Sequence, residues 1–443
     1  MTDTTLLHRF DNSKLSKFHI ILMLLVGSCW SWAAYGVTIV GFILPALKKE
    51  WNVSSSALGF LAGIGMLGMV VGSVAAGTLS DRYGRRRILT WIMVYLGVMF
   101  ILSAYAGSYS ILLVLRFFTG MGLGAILPPG GTLVSEFSPI RQRGTLIVLL
   151  NGFWGLGGTL AALIGYSLVL NTGWRPAFLF GGLAIISGLL VHWMLPESLR
   201  FLISTGQIDR AQKESDRIQL NEDQSLPSLQ NVISPKARPA PGPMTGIWSQ
   251  RFARITFSLW FLWVSLNYLY QGVFVWLPTL LAGSDSTASR SFMLTLIISL
   301  GQIPGTLLVA YLADRYSRRR LIIFSLGLLG LAAILFSLSG STGWVLTIGF
   351  MVMVFNGMAW GLAHPFSSEL YPTSIRGTAT GWATGIGRLG GVVAPLVVAW
   401  VIQAGGGMTI IFSILAAAPI LTMVVLAGLK QETTGRSLEE ISV

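Results

Sequence analysis

Long apolar runs separated by short polar intervals dominate the chain. They fall near residues 20–45, 57–79, 88–107, 110–135, 146–170 and 174–195, and resume near 255–281, 290–313, 320–340, 343–368, 378–403 and 408–429. Each run approaches or exceeds the ~20 residues that carry a helix across a bilayer, so the pattern predicts twelve transmembrane helices and an all-α membrane protein. The first run follows charged residues, as the core of a signal peptide does. It extends to about 25 residues, too long for that, and is taken as the first helix. Between the sixth and seventh runs the stretch PESLRFLISTGQIDRAQKESDRIQL has the spacing of amphipathic surface helices, and PKARPAPGPMTG that of a tether. The expected organisation is an N-terminal six-helix bundle over 1–195, a cytoplasmic linker over 196–252, and a C-terminal six-helix bundle with a polar tail over 253–443.

The second six-helix set repeats the first at a fixed offset of 233 residues. Asp81-Arg82-Tyr83 with Arg85, Arg86 and Arg87 returns as Asp314-Arg315-Tyr316 with Arg318, Arg319 and Arg320. Glu136, followed by Arg143-Gly144-Thr145, returns as Glu369 followed by Arg376-Gly377-Thr378. Pro45 returns as Pro278, and Leu156-Gly157-Gly158 as Leu389-Gly390-Gly391. Four motifs of different composition at one offset exclude coincidence. An even number of spans per repeat gives both repeats the same orientation, an arrangement found in transporters with a binding site between the halves.

Only 11% of residues are charged, yet the net charge is +13. A soluble basic protein would spread that charge over a nucleic-acid face. Here 24 of the 30 Lys and Arg residues lie at the termini or in the loops on one side of the predicted membrane, with Lys48, Lys49, Arg175 and Arg290 opposite and Arg116 and Arg388 within spans. The positive-inside rule places both termini in the cytoplasm, and nucleic acid is not an expected partner. The single cysteine, Cys29, permits neither an intramolecular disulfide nor a thiolate metal cluster. No nucleophile–base pair or phosphate loop appears, because GMGLG and GLGG follow no strand and precede no phosphate-binding lysine. They read as close-packing helix surfaces. Neither an enzyme nor a cofactor or metal site is expected.

Two loops on the basic side carry a charge constellation. In each, an acid at a helix end faces several guanidinium groups, a chemistry suited to charge-assisted bonds made in one of two rocking states. The expected conformational latch comprises Asp81, Arg82 and Arg85 with Glu136 and Arg143, and Asp314 and Arg315 with Glu369 and Arg376.

These residues resemble those of the major facilitator superfamily over nearly the whole chain, with the GTLSDRYGRRR loop and the two RG turns as the specific motifs. PESLRFL and ETTGRSLEEI resemble the sugar-porter and organic-ion branches. RFFTGMGLGAILPPGGTLVSE, VFVWLP, GQIPG, ELYPTSIRGTATG and GRLGGVVAP look like bacterial niacin transporters and their aromatic-acid and organic-anion relatives. The resemblance implies the major facilitator fold, a bacterial inner-membrane location, and uptake of a small organic acid by alternating access. Members of those groups usually carry acids in the first helix, where this chain has WSWAAYGVTIVG with Ala33 and Gly36 at the nearest positions. Ile126 and Asn151 stand where a relative can place a carboxylate in the fourth and fifth helices. The usual proton-coupling group is therefore missing, and protons remain a candidate co-substrate through His364 or the cargo's own carboxyl.

All 17 carboxylates map to termini, loops or helix ends. Arg388, by contrast, lies 12 residues past Arg376, about 18 Å along a helix and near the middle of a ~30 Å hydrocarbon core. A guanidinium there needs an anionic or polar partner, and the carboxylate of a small organic anion is one; a backbone carbonyl is another. Its repeat-mate is Gly155, so the scaffold itself does not demand arginine. Gln302 lies at comparable depth. Asn356, Trp360 and His364 share one stripe of the tenth helix, and Asn267, Tyr270 and Gln271, with Phe274, share one of the seventh. Trp30, Tyr35, Asn151 and Trp154 complete the expected chamber, whereas Arg116 reads as a structural or gate residue. One cation, several amides and many aromatic faces suit a planar carboxylate. A neutral sugar, an organic cation, or a receptor that binds without transporting are the alternatives.

Overall fold

A computed structural model describes residues 15–139, 142–218, 247–250, 252–282, 288–313, 315–338, 341–371 and 373–429. Its long helices are α1 Lys17–Trp51, α2 Ser55–Tyr83, α3 Arg85–Ala104, α4 Tyr109–Phe137, α5 Arg143–Thr172 and α6 Arg175–Met194. After two short helices, Leu199–Ser204 and Ile208–Arg217, come α7 Ala253–Ala282, α8 Ser289–Leu312, α9 Arg318–Ser337, α10 Thr342–Glu369, α11 Thr373–Gln403 and α12 Met408–Ala427. Among the described residues there is no strand, and eleven of the long helices are apolar enough to cross a membrane. The helix outside that set, α7, has 30 residues but carries Trp260, Trp263 and Trp276 together with Asn267, Tyr268, Tyr270 and Gln271. Its length suits a span, and its polar load marks a helix that faces something other than lipid.

The repeat extends to the caps and seams. Ser108 Oγ accepts from Ile111 N at the start of α4, and its 233-residue mate Ser341 accepts from Trp344 N at the start of α10. Close helix contacts use paired glycines. A Cβ on Gly68 or Gly72 of α2 would lie 2.1 or 1.9 Å from carbonyl oxygens of α4, and one on Gly301 or Gly305 of α8 would lie 2.5 or 2.1 Å from carbonyl oxygens of α10. Gly157 packs on the Ser31 carbonyl and Gly390 on that of Val264, the corresponding atoms of each half. Small residues at these points let backbones approach where a side chain would hold them apart. Within the first six helices α1 packs on α5, α2 on α4 and α3 on α6; within the last six, α7 on α11, α8 on α10 and α9 on α12.

The two sets meet mainly where α2 crosses α11 and α5 crosses α8. The α2–α11 contacts begin at the end remote from the 196–252 segment, where Ser56 Oγ donates to Gln403 Oε1. They continue through Gly59 against Pro395 and Gly63 against Val392 to Met69 against Arg388 near mid-span. Nearer the linker end, a Cβ on Gly77, Gly381 or Gly385 would meet nothing within 4 Å. The halves are closed at the far end and parted toward the linker.

Candidate functional site

Between the halves, α7, α10 and α11 bring together much of the expected chamber. Trp263 is its hub: its ring meets His364 at 4.6 Å and Trp360 at 5.5 Å, and its Nε1 donates to Ser367 Oγ at 3.0 Å. Tyr270 faces Trp360 at 6.3 Å and Phe274 at 4.5 Å. The other half reaches this wall through Trp154, whose Nε1 donates to Tyr270 Oη at 3.1 Å. Trp263 was not among the residues singled out from the sequence, although it lies four positions before Asn267 on the same stripe. Its neighbours are apolar, so it reads there as a packing residue.

Arg388 is buried, and its Nη1 donates to the Met69 carbonyl of α2 at 2.8 Å. Its protein partner is thus a backbone carbonyl of the other half, with no carboxylate paired to it among the described residues. One turn further along α11, Gly391 packs on Gln271 and Met66, and Gln271 Nε2 donates to Met66 Sδ at 3.7 Å. Asn356 is fully buried, yet neither its Oδ1 nor its Nδ2 has a hydrogen-bond partner, and Trp360 Nε1 also lacks one. A buried amide is seldom left with both ends unmade. Gln302 is buried beside Gly155, whose Cβ position lies 3.6 Å from Gln302 Cγ. A side chain at 155 as large as the arginine of the repeat-mate would fill this space.

Several other expected lining residues point elsewhere. Tyr35 is buried inside the first half, its hydroxyl donating to the Ala177 carbonyl at 2.6 Å and its ring among Trp32, Phe100 and Phe180. A phenol in an apolar interior must find an acceptor, and α6 supplies it. Trp30 packs against Gly130 of α4 with its Nε1 unpartnered. Asn151 and Asn267 each donate to the carbonyl four residues back, Ile147 and Trp263, at 2.9 Å. Arg116 is buried and donates to the Gly36 carbonyl at 3.2 Å, joining α4 to α1.

At the linker end, Arg85 is buried with its Nη2 2.8 Å from Asp81 Oδ1 and its Nε 3.7 Å from Glu136 Oε1. Glu136 also accepts from Ser198 Oγ. The repeat-mates Arg318 and Glu369 form the corresponding ion pair. Both pairs join consecutive helices of one half, α3 to α4 and α9 to α10. Arg143 donates to the Ser138 carbonyl at 3.3 Å, Arg82 lies over the Tyr83 ring, and Arg315 over the Tyr311 ring. Asp314 and the side chain of Arg376 lie outside the described residues.

One participant here was missed. Glu197, in the quoted PESLRFL, is buried and accepts from the backbone N–H groups of Arg86 and Arg87 at 3.0 and 3.2 Å, capping α3. Gly84 has φ +102°, and a Cβ there would sit 2.5 Å from Glu197 Oε2. The second half replaces Gly84 with Ser317, whose own hydroxyl caps α9 by accepting from Arg320 N. The one mismatch between DRYGRRR and DRYSRRR therefore records how each helix end is satisfied.

A family model described as sugar (and other) transporter matches residues 20–443. The chain is 34% identical over 439 residues to the niacin transporter NiaP of Acinetobacter baylyi, covering 99% of this chain and 100% of that protein. It is 31% identical over 386 residues to the 4-hydroxybenzoate transporter PcaK of the same organism, covering 85% and 83%. Among solved structures, the partially occluded inward-open form of the xylose transporter XylE from E. coli superposes with a TM-score of 0.75 at 18% identity, covering 95% of this chain and 100% of that one.

Proposed function

Because the chain belongs to the sugar (and other) transporter family of the major facilitator superfamily, we propose that its cargo is a small aromatic or heteroaromatic monocarboxylate, with niacin the first compound to test. The observation that carries this reading is Arg388, a buried mid-span cation whose protein partner is a carbonyl rather than a carboxylate. A cargo carboxylate makes a stronger, charge-assisted and bidentate bond to a guanidinium than a carbonyl does. The Trp263, Trp360 and Tyr270 rings offer faces for a planar ring, and the free carboxamide of Asn356 offers a donor and an acceptor to its edge. The names of the two relatives above, a niacin and a 4-hydroxybenzoate transporter, support the same class.

The same bond supplies a coupling between binding and movement. Met69 belongs to the other half, so a carboxylate that draws Arg388 away loosens a contact holding the halves together near mid-span. Differential contact of this kind is what allows a ligand to shift a conformational equilibrium. The distribution of Lys and Arg supports a cytoplasmic linker and cytoplasmic termini, which makes the present arrangement open inward, and the bacterial relatives support an inner-membrane location. The Arg85–Glu136 and Arg318–Glu369 pairs then set the geometry of the cytoplasmic helix ends as the latch of this cycle. Any proton carried with the cargo rests on His364 or on the cargo's carboxyl, since every carboxylate of the chain maps to a helix end, a loop or a terminus.

Counterflow in proteoliposomes tests the reading. Vesicles loaded with unlabelled niacin should accumulate labelled niacin transiently, and 4-hydroxybenzoate should compete whereas nicotinamide, xylose and choline should not. Exchange inhibited equally by the neutral and cationic competitors would contradict the assignment.

A further inference from the structure

On the lipid-facing side of the second half, remote from the chamber, an open groove of about 500 Å³ runs between α9 and α12. Its floor and walls are apolar: Phe324 and Leu331 are 59% and 51% exposed on α9, and Met423 faces them from α12. Its linker end is basic, formed by Arg319 and Arg320. From Arg319 to Leu331 is 12 residues of helix, about 18 Å, close to the depth of one leaflet of a ~30 Å core.

The repeat shows what distinguishes this face of the second half from its counterpart in the first. Gly327 lines the groove and lets Met423 approach closely, since a Cβ there would lie 2.8 Å from Met423 Sδ; the equivalent residue of α3 is Val94. The charges differ as well. Arg86, the mate of Arg319, is 3.8 Å from the Glu214 carboxylate, and Glu197 caps the adjoining helix end. Arg319 instead donates to the Leu426 and Ala427 carbonyls at 3.5 and 2.8 Å, so it is held at the C-terminus of α12 with no carboxylate paired to it among the described residues. Two guanidinium groups at the interface above a leaflet-long apolar channel match a phosphate joined to an acyl chain.

We propose that this groove binds an anionic phospholipid, which lays an acyl chain along α9 past Gly327 and sets its phosphate against Arg319 and Arg320. A zwitterionic lipid fills the channel less well because its own cation opposes the arginines. Basic pockets between transmembrane helices are suited to such headgroups.

Native mass spectrometry of the full chain, exposed to equal amounts of phosphatidylglycerol and phosphatidylcholine, tests this directly. The wild type should retain phosphatidylglycerol preferentially. Arg320→Gln should reduce that preference about fivefold, and Arg319→Gln with it by a similar further factor. Gly327→Val introduces the residue the first half already tolerates, and should lower lipid retention with both arginines in place. Equal retention of the two lipids by the wild type would overturn the proposal, as would a preference unchanged in Arg320→Gln and in Gly327→Val. Displacement by excess inorganic phosphate would overturn it too, by showing a free-anion site.

Discussion

At the scale of single residues, charge was more legible than face. Arg388 stands out in the sequence because its depth follows from counting along a helix and because its repeat-mate is glycine. Which way Tyr35 or Trp30 points depends on which neighbour supplies an acceptor or a gap, and stripes on an isolated helix do not contain that information. Trp263 was hidden for the same reason: an indole among apolar residues is indistinguishable from packing until His364 and Trp360 arrive from another helix. Asn356 is the more instructive residue energetically. Two unmade hydrogen bonds in a fully buried amide cost about 1–3 kcal/mol each, a burden that ligand contact can relieve. Asn356→Leu should therefore raise the melting temperature of the unliganded protein by a few degrees while reducing the stabilisation gained on adding niacin. A lower melting temperature with the ligand-induced shift intact would show the amide to be satisfied and remote from the cargo.

At the scale of helices, the caps and loops explain what the repeat alone did not. Both acid–base pairs were foreshadowed by the repeated loops: Glu136 and Glu369 reach back to Arg85 and Arg318, the first residue of the following helix in each half's α2–α3 or α8–α9 turn. Glu197 went unread because its role requires the chain after α6 to fold beneath α3. Glu136→Gln should slow niacin exchange about tenfold or more while leaving equilibrium affinity within a few-fold, because it perturbs helix ends without touching the chamber. Parallel losses in both assays would place the residue in the binding site. Glu197→Gln loses the charge and one of the two oxygens that accept from the Arg86 and Arg87 N–H groups, and should cost about 1–2 kcal/mol of stability, visible as a lower melting temperature. No change would mean that the Glu197 carboxylate does not hold the start of α3.

At the scale of the whole molecule, twelve helices and their boundaries were legible to within a few residues because lipid leaves an apolar span few alternatives. The state of the two halves was not, since it depends on contacts between α2 and α11 that the same sequence makes and breaks. Closure at the far end predicts that a bifunctional thiol reagent joining Ser56→Cys to Gln403→Cys will stop counterflow, with restoration on cleavage of the link; the native Cys29 is buried and should contribute little background. Undiminished exchange in cross-linked protein would mean that this end does not open during transport.

The most direct test of the account is a calorimetric comparison of niacin with its neutral carboxamide in wild type, Arg388→Lys and Arg388→Ala. The wild type should favour the carboxylate, and Arg388→Ala should lose about 10- to 100-fold of niacin affinity, the worth of a charge-assisted bond, while its affinity for nicotinamide changes little. Arg388→Lys should recover only part, because an ammonium lacks the fork that a carboxylate fits. A folded Arg388→Ala variant that still prefers niacin by the wild-type margin would contradict the account.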